Sequence, residues 1–302
     1  MTAIDTAVLA SLRELVTETH DHETRFRGTM FFTDELLGPP GRVHGGIHPL
    51  VRTLPILARL RGDAGAPTRV RIDAALQKGL PIGDLVEFDG TYRDENGGFR
   101  LETRFLGSDR LRATATVPTA ADLPQGDALE RWRALFEKAR TEEERTMRVI
   151  GVKYHLTDSL VWLDLRTFDE VDEGAHLRRA LLPNGGLGLA ALSTQLDAIG
   201  ATGRGARMRH PHFTKHITLS FDLEGLEPGT PLLLLADRTT IVEDETSEKV
   251  EIKGERFGTA TVEVAAVDAS FRRCFSHGFV TAHPVDPDRF AGFEEMRKLR
   301  QP

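Results

Sequence analysis

The sequence predicts an α+β protein made of two related units, each a helix laid against an antiparallel sheet. Three observations predict it. A glycine step occurs twice, as Gly41-Arg42-Val43-His44-Gly45-Gly46 and, 140 residues later, as Leu182-Pro183-Asn184-Gly185-Gly186. Each step precedes an apolar run of helical character, and each run precedes segments in which apolar and polar residues alternate as in half-buried strands. The correspondence continues downstream. Gly79, Leu80 and Gly83 match Gly225, Leu226 and Gly229 at an offset of 146, Thr68-Arg69 matches Thr214-Lys215 at the same offset, and Thr114-Ala115-Thr116-Val117 matches Thr259-Ala260-Thr261-Val262 at 145.

In chain order, Ala7, Leu9, Leu12, Leu15 and Val16 share a helical face, which predicts an amphipathic helix over residues 3–19. Arg25 to Phe32 reads as a strand, and Gly38-Pro39-Pro40 forces a loop before the first glycine step. Ile47 to Leu60 is helix-like. Pro49 fits its first turn, while Pro55 kinks or shortens it, because proline removes an N–H and clashes with the preceding turn. Val70–Leu76, Leu85–Arg93, Phe99–Leu106 and Leu111–Val117 form an antiparallel set, with Asn96-Gly97-Gly98 as a hairpin turn. Leu129, Trp132, Leu135, Phe136 and Ala139 then make a helical stripe, Thr141 and Glu144 have capping-box spacing, and Glu142 to Arg145 is a solvated charge run. In the second half Leu160–Thr167 is strand-like, Gly186–Ile199 helix-like and His216–Leu223 strand-like, and Phe290, Phe293, Met296 and Leu299 form a last helical stripe. The expected organisation is an N-terminal unit over 1–117, a linker helix over 118–150, a C-terminal unit over 151–283 and a tail over 284–302.

Composition narrows the function classes. A formal net charge of −7 argues against nonspecific nucleic-acid binding. No apolar run approaches the ~20 residues that span a bilayer, and Met1-Thr2-Ala3-Ile4-Asp5 lacks a signal-peptide start. The single cysteine, Cys274, excludes an internal disulfide and reads as a buried apolar residue rather than a nucleophile beside His277. The expectation is a cytoplasmic protein.

The two segments His44-Gly45-Gly46 and Leu80-Pro81-Ile82-Gly83-Asp84 resemble those of the acyl-CoA thioesterase branch of hotdog-fold proteins, and two copies in one chain resemble its double-hotdog members. The likeness covers residues 25–117 and 160–267. It implies a tandem (double) hotdog, with two long helices each wrapped by an antiparallel sheet. It also implies an acyl thioester substrate, coenzyme A entering as part of the substrate with no further cofactor required, a place in lipid metabolism, and a possible homo-oligomer of double-hotdog chains.

Attack on a thioester carbonyl builds charge on its oxygen, and backbone N–H groups at a glycine step can stabilise it. Gly45 and Gly46, or Asn184, Gly185 and Gly186 in the second copy, are the candidates; the plain alternative is that Gly-Gly only permits close helix–sheet packing. Where related thioesterases carry Asp or Glu on the helix, this chain has Thr53 and Ser193. Asp197, one turn after Ser193, with Gln195 nearby, can orient water, and the alternative is a surface aspartate. His44 is a candidate acid, base or cap, His48 lies near the helix start, and Asp34 is a second possible carboxylate. Arg207, Arg209 and Lys215, with Arg69 and Arg71 in the matching strand, are candidates for the coenzyme A phosphates. His210, His212 and His216 suggest a metal only weakly, because no carboxylate or cysteine completes the set. Thioester hydrolysis is the leading expectation. Hydration or dehydration of an enoyl thioester, and non-catalytic acyl-CoA sensing, are the alternatives.

Overall fold

The computed structural model describes residues 3–36, 42–62, 68–76, 79–95, 98–105, 112–149, 152–164, 189–205, 212–224, 226, 230–252 and 254–284. The first part runs α1 (Ala3–Leu9), β1 (Leu12–His20), β2 (Glu23–Phe31), α2 (His48–Val51), α3 (Leu54–Arg61), β3 (Arg69–Ala75), β4 (Leu85–Glu95), β5 (Gly98–Phe105) and β6 (Arg112–Thr116). Then come α4 (Asp127–Ala139), β7 (Arg145–Val149), β8 (Val152–Leu156) and β9 (Leu160–Asp164). The rest is α5 (Leu189–Gly205), β10 (His212–Asp222), β11 (Leu232–Glu243), the small hairpin β12 (Val250–Ile252) and β13 (Glu255–Phe257), β14 (Ala260–Asp268) and β15 (Cys274–Pro284).

Thirteen of these strands form one antiparallel sheet in the order β1-β2-β4-β5-β6-β3-β10-β15-β14-β11-β9-β8-β7. Its seam is the β3–β10 pair, where Ile72 lies opposite Leu219 and Ala75 opposite His216. One face carries α1, α2, α3 and α5 over the main apolar core, which takes Ile72 and Ala74 from β3, Ile217 and Leu219 from β10, and Leu234 and Val264 from farther along. The other face is covered by α4 beyond the seam: Leu129, Trp132, Phe136 and Ala139 pack on Leu160, Trp162, Leu233, Leu235, Ala265 and Val267. β11 therefore reads Leu232-Leu233-Leu234-Leu235-Ala236 without alternation, as expected for a strand buried on both sides. β3 has one wet face and alternates cleanly. Arg131 fixes α4 to the sheet through Asp237 and Glu263.

Several expectations change. The helix over 3–19 ends at Leu9, and Leu12–His20 pairs with β2 along its length. Val16, Thr17 and Thr19 are β-branched residues that suit a strand, and a ladder with β2 satisfies their backbone groups. The first of the two long helices is two short ones: Pro55 has no N–H to bond back and its ring crowds the preceding turn, so the helix breaks at Arg52–Thr53. Thr53 is fully buried and donates its hydroxyl to Pro49 O. Thr141 does not open a helix; its hydroxyl bonds Lys138 O at the end of α4, and the capping box is made by Thr119 and Asp122 instead. Glu142 is not idle in solvent but accepts the backbone N–H of Ser159. The matched Thr-Ala-Thr-Val stretches do not hold matching places, since β6 adjoins β3 whereas β14 is separated from β10 by β15. The stripe after residue 284 lies outside the described residues.

Candidate functional site

Two chain segments meet on the core face beside the seam. The first is the turn after the short bridge at Arg42–Val43, where His44 N–H bonds Leu36 O and the carbonyl of His44 starts α2 by accepting from Ile47 and His48. The second is α5, the described helix longest in this chain, whose buried Leu192, Leu196 and Ile199 fix its face on the sheet. Ser193, Asp197 and Gly200 fall on that buried face as well.

Gly46 is the contact point. A Cβ there would lie 2.6 Å from both Ser193 O and Thr194 Cα, so the α2 turn and α5 touch backbone to backbone. Ser193 Oγ bonds Gly46 O at 2.6 Å and closes the junction. A Cβ on Gly45 would meet Asp197 Oδ2 at 2.7 Å and Thr214 Oγ1 at 3.0 Å. The two glycines thus have different jobs. Gly46 permits the helix crossing, whereas Gly45 leaves room for a carboxyl group.

That carboxyl group belongs to Asp197, which is 5% exposed. Thr214 Oγ1 donates to its Oδ1 at 2.6 Å, and its Oδ2 lies 3.8 Å from His44 Nδ1. Gly46 N–H donates to His44 Nδ1 at 3.1 Å and also bears on the Asp197 carboxylate. Burial pushes the Asp197 carboxyl above the usual carboxylate range, against the opposing pull of His44, Thr214 and the Gly46 N–H. Thr214 reaches inward because β10 carries a bulge at Lys215: Thr214 pairs with Ala282, His216 with Thr281, and the extra residue re-aims the side chain before it. Tyr154 on β8 donates to Gln195 Oε1 at 3.0 Å, and burial first, then Asp197, pushes its phenol up.

Of the residues singled out from sequence, His44, Gly45, Gly46, Ser193 and Asp197 come together. Asp34 is exposed, on a single turn that ends at the buried Leu36, the residue that receives His44 N–H. Ser193 is committed to Gly46 O. Gly45 N–H makes no hydrogen bond among the described residues and is partly exposed, so it can face a ligand oxygen. Gly46 N–H is already directed at His44 and Asp197. α2 is a single turn, so the helix dipole expected there is small. Arg69 and Arg71 point to the opposite face of the sheet from His44 and pair with Asp222 and Asp122, because side chains alternate along β3. Lys215 forms the bulge. His216 Nε2 bonds Asp73 on that same outer face. Asn184, Gly185, Gly186, Arg207, Arg209 and His210 lie outside the described residues. Cys274 is buried and burial pushes its thiol up to about 12. Thr214 and Tyr154 were not assigned roles from sequence. The usable signal for the acid was Asp197 itself, an ionisable residue set on an apolar helical stripe.

No family model matches the chain, and no curated protein matches it. Solved structures do. A pyran synthase domain from module nine of the sorangicin pathway is 13% identical, with 91% of this chain and 98% of that one covered at a TM-score of 0.53. A putative thioesterase II from Thermobifida fusca YX is 16% identical over 94% and 98%, at 0.51. The dehydratase domain from the CurJ module of curacin polyketide synthase is 12% identical over 94% and 100%, at 0.51, and is also known as an inactive mutant with phenylalanine in place of a histidine. The likeness establishes a hotdog fold. No helix among the described residues is long and apolar enough to cross a membrane.

Proposed function

We propose that this chain is a tandem hotdog protein that interconverts β-hydroxyacyl and enoyl thioesters, with His44 as the proton-transferring group and Asp197 behind it. The observation that carries the reading is the His44–Asp197 pair, a partly exposed histidine 3.8 Å from a buried carboxyl group, assembled from the α2 turn and α5. Asp197 is enclosed and His44 is the more exposed of the two, so in this reading the substrate is served by His44 through Nε2. With Asp197 ionised and Nδ1 protonated toward it, Nε2 is the unprotonated nitrogen and acts as a base. With Asp197 protonated and Nδ1 accepting the Gly46 N–H, Nε2 carries a proton and acts as an acid. The two forms differ by one proton.

Elimination then balances on one relay. Nε2 takes the proton from Cα, and the electron pair delocalises onto the thioester oxygen, for which Gly45 N–H is the donor. The Cβ–O bond then breaks as Nε2 returns that proton to the leaving hydroxyl, releasing water. A carboxyl group raised by burial suits the task, because its affinity for the shared proton lies nearer to neutral pH. The likeness to dehydratase domains, one of them inactivated at a histidine, supports this reading.

Hydrolysis is the second reading, favoured by the likeness to a putative thioesterase, since a histidine backed by aspartate also activates water. The test is to offer 2-enoyl and 3-hydroxyacyl thioesters of several lengths and follow double-bond absorbance together with free thiol. Interconversion without thiol supports the proposal. Thiol release with the double bond untouched overturns it in favour of hydrolysis.

A further inference from the structure

Arg52 is a fully buried cation for which this site has no use so far. It ends α2, at the helix break, and is 0% exposed. Its Nη1 donates to Ala75 O at 2.8 Å, and the guanidinium carbon stands 5.5 Å from the Phe105 ring centre. Its Nε and Nη2 are buried and have no hydrogen-bond partner among the described residues. These two N–H groups point the same way along one edge of the guanidinium, the edge that matches both oxygens of a carboxylate. A buried guanidinium with that edge empty is unfavourable by itself, and burial pulls its pKa down to about 9.

The position suits a substrate contact. Arg52 follows His44 by eight residues, at the far end of the single-turn α2 from the His44 turn. Its anchor, Ala75, lies opposite His216, next to the bulge that turns Thr214 toward Asp197. Arg52 and the His44–Asp197 pair therefore share one end of the seam.

We infer that Arg52 binds a carboxylate at the far end of the acyl chain, so that the preferred substrates are thioesters of dicarboxylic acids. This rests on the thioester reading above. A carboxylate accepts from Nε and Nη2 together, while a methyl-ended chain leaves both unmatched. Discrimination then arises from the arginine edge rather than from pocket length.

The test pairs 2-enoyl coenzyme A thioesters ending in carboxylate with methyl-ended ones of equal length, for the wild type and Arg52→Met. The expected result is a preference of about 10-fold or more in kcat/KM for the carboxylate-ended series in the wild type, abolished in Arg52→Met. Equal rates on both series in the wild type, or the same preference in both proteins, overturn the inference and leave the thioester reading standing. If neither series reacts, the thioester chemistry fails. Calorimetric titration with the saturated thioesters then decides the inference: tighter binding of carboxylate-ended chains by the wild type alone supports it, and equal affinities overturn it.

Discussion

Adding one methyl group at Gly45 or at Gly46 should have sharply different consequences. At Gly45 the new Cβ lies 2.7 Å from Asp197 Oδ2, against about 3.4 Å for ordinary contact, so the carboxyl group must yield by roughly 0.7 Å. Asp197 is pinned by Thr214 on one oxygen and has His44 3.8 Å from the other, so the shift breaks their alignment. Overpacking of this kind costs about 1–3 kcal/mol, roughly 2–4 °C per kcal/mol for a domain of 150–250 residues. A displacement near 1 Å in a proton-transferring pair lowers the rate on the order of 100-fold. At Gly46 the methyl meets Ser193 O and Thr194 Cα at 2.6 Å, atoms of the α5 backbone that cannot rotate aside. Gly46→Ala should therefore unseat α5 and lower Tm much more than Gly45→Ala does. Thermal unfolding and single-turnover rates on an enoyl thioester measure both effects. Wild-type turnover by Gly45→Ala, or a Gly46→Ala protein as stable as the wild type, would refute the reasoning.

Other consequences follow from the same packing. Asp197→Asn should be inactive yet more stable at neutral pH: the folded carboxyl pKa lies above the unfolded value of about 3.9, so this group's stabilising contribution is full below that value and is lost as pH rises through the folded pKa. Its Tm advantage should therefore widen from about pH 4 to 8, and a constant difference would count against a buried, raised carboxyl. Thr214→Val removes a bond that holds the Asp197 pKa down, so the acid limb of the pH–rate profile should move to higher pH. Arg52→Met should be neutral or stabilising by about 1–4 kcal/mol in denaturant melts, since it removes a buried unmatched charge. Trp132→Ala should cost about 3–5 kcal/mol and loosen α4, because the ring is wholly buried between α4 and the sheet.

What the sequence revealed was what local chemistry decides. The helix break at Arg52–Thr53 follows from Pro55, and α4 follows from Leu129, Trp132, Phe136 and Ala139, whose spacing buries one face whatever lies beneath. Residues 12–20 misled because Leu12, Leu15 and Val16 also satisfy a helical pattern; the ladder with β2 decides between the two, and it is made by residues elsewhere in the chain. The candidate site divides in the same way. His44 and Gly45 were visible through their motif, and Asp197 through its place on an apolar stripe. Their meeting depends on Gly46 letting α5 approach and on a bulge at Lys215 that turns Thr214 inward, neither of which leaves a periodic trace. The division of labour between Gly45 and Gly46 required the crossing geometry.

The central claim is that one nitrogen of His44, relayed by Asp197, moves the proton in both directions. Hydration of an enoyl thioester in D2O, with product stereochemistry read by NMR, tests it most directly. Because one group delivers the proton and handles the hydroxyl on a single face, the account predicts syn addition of deuterium and OD, lost in His44→Ala. Anti addition, or unchanged hydration by His44→Ala, would contradict it.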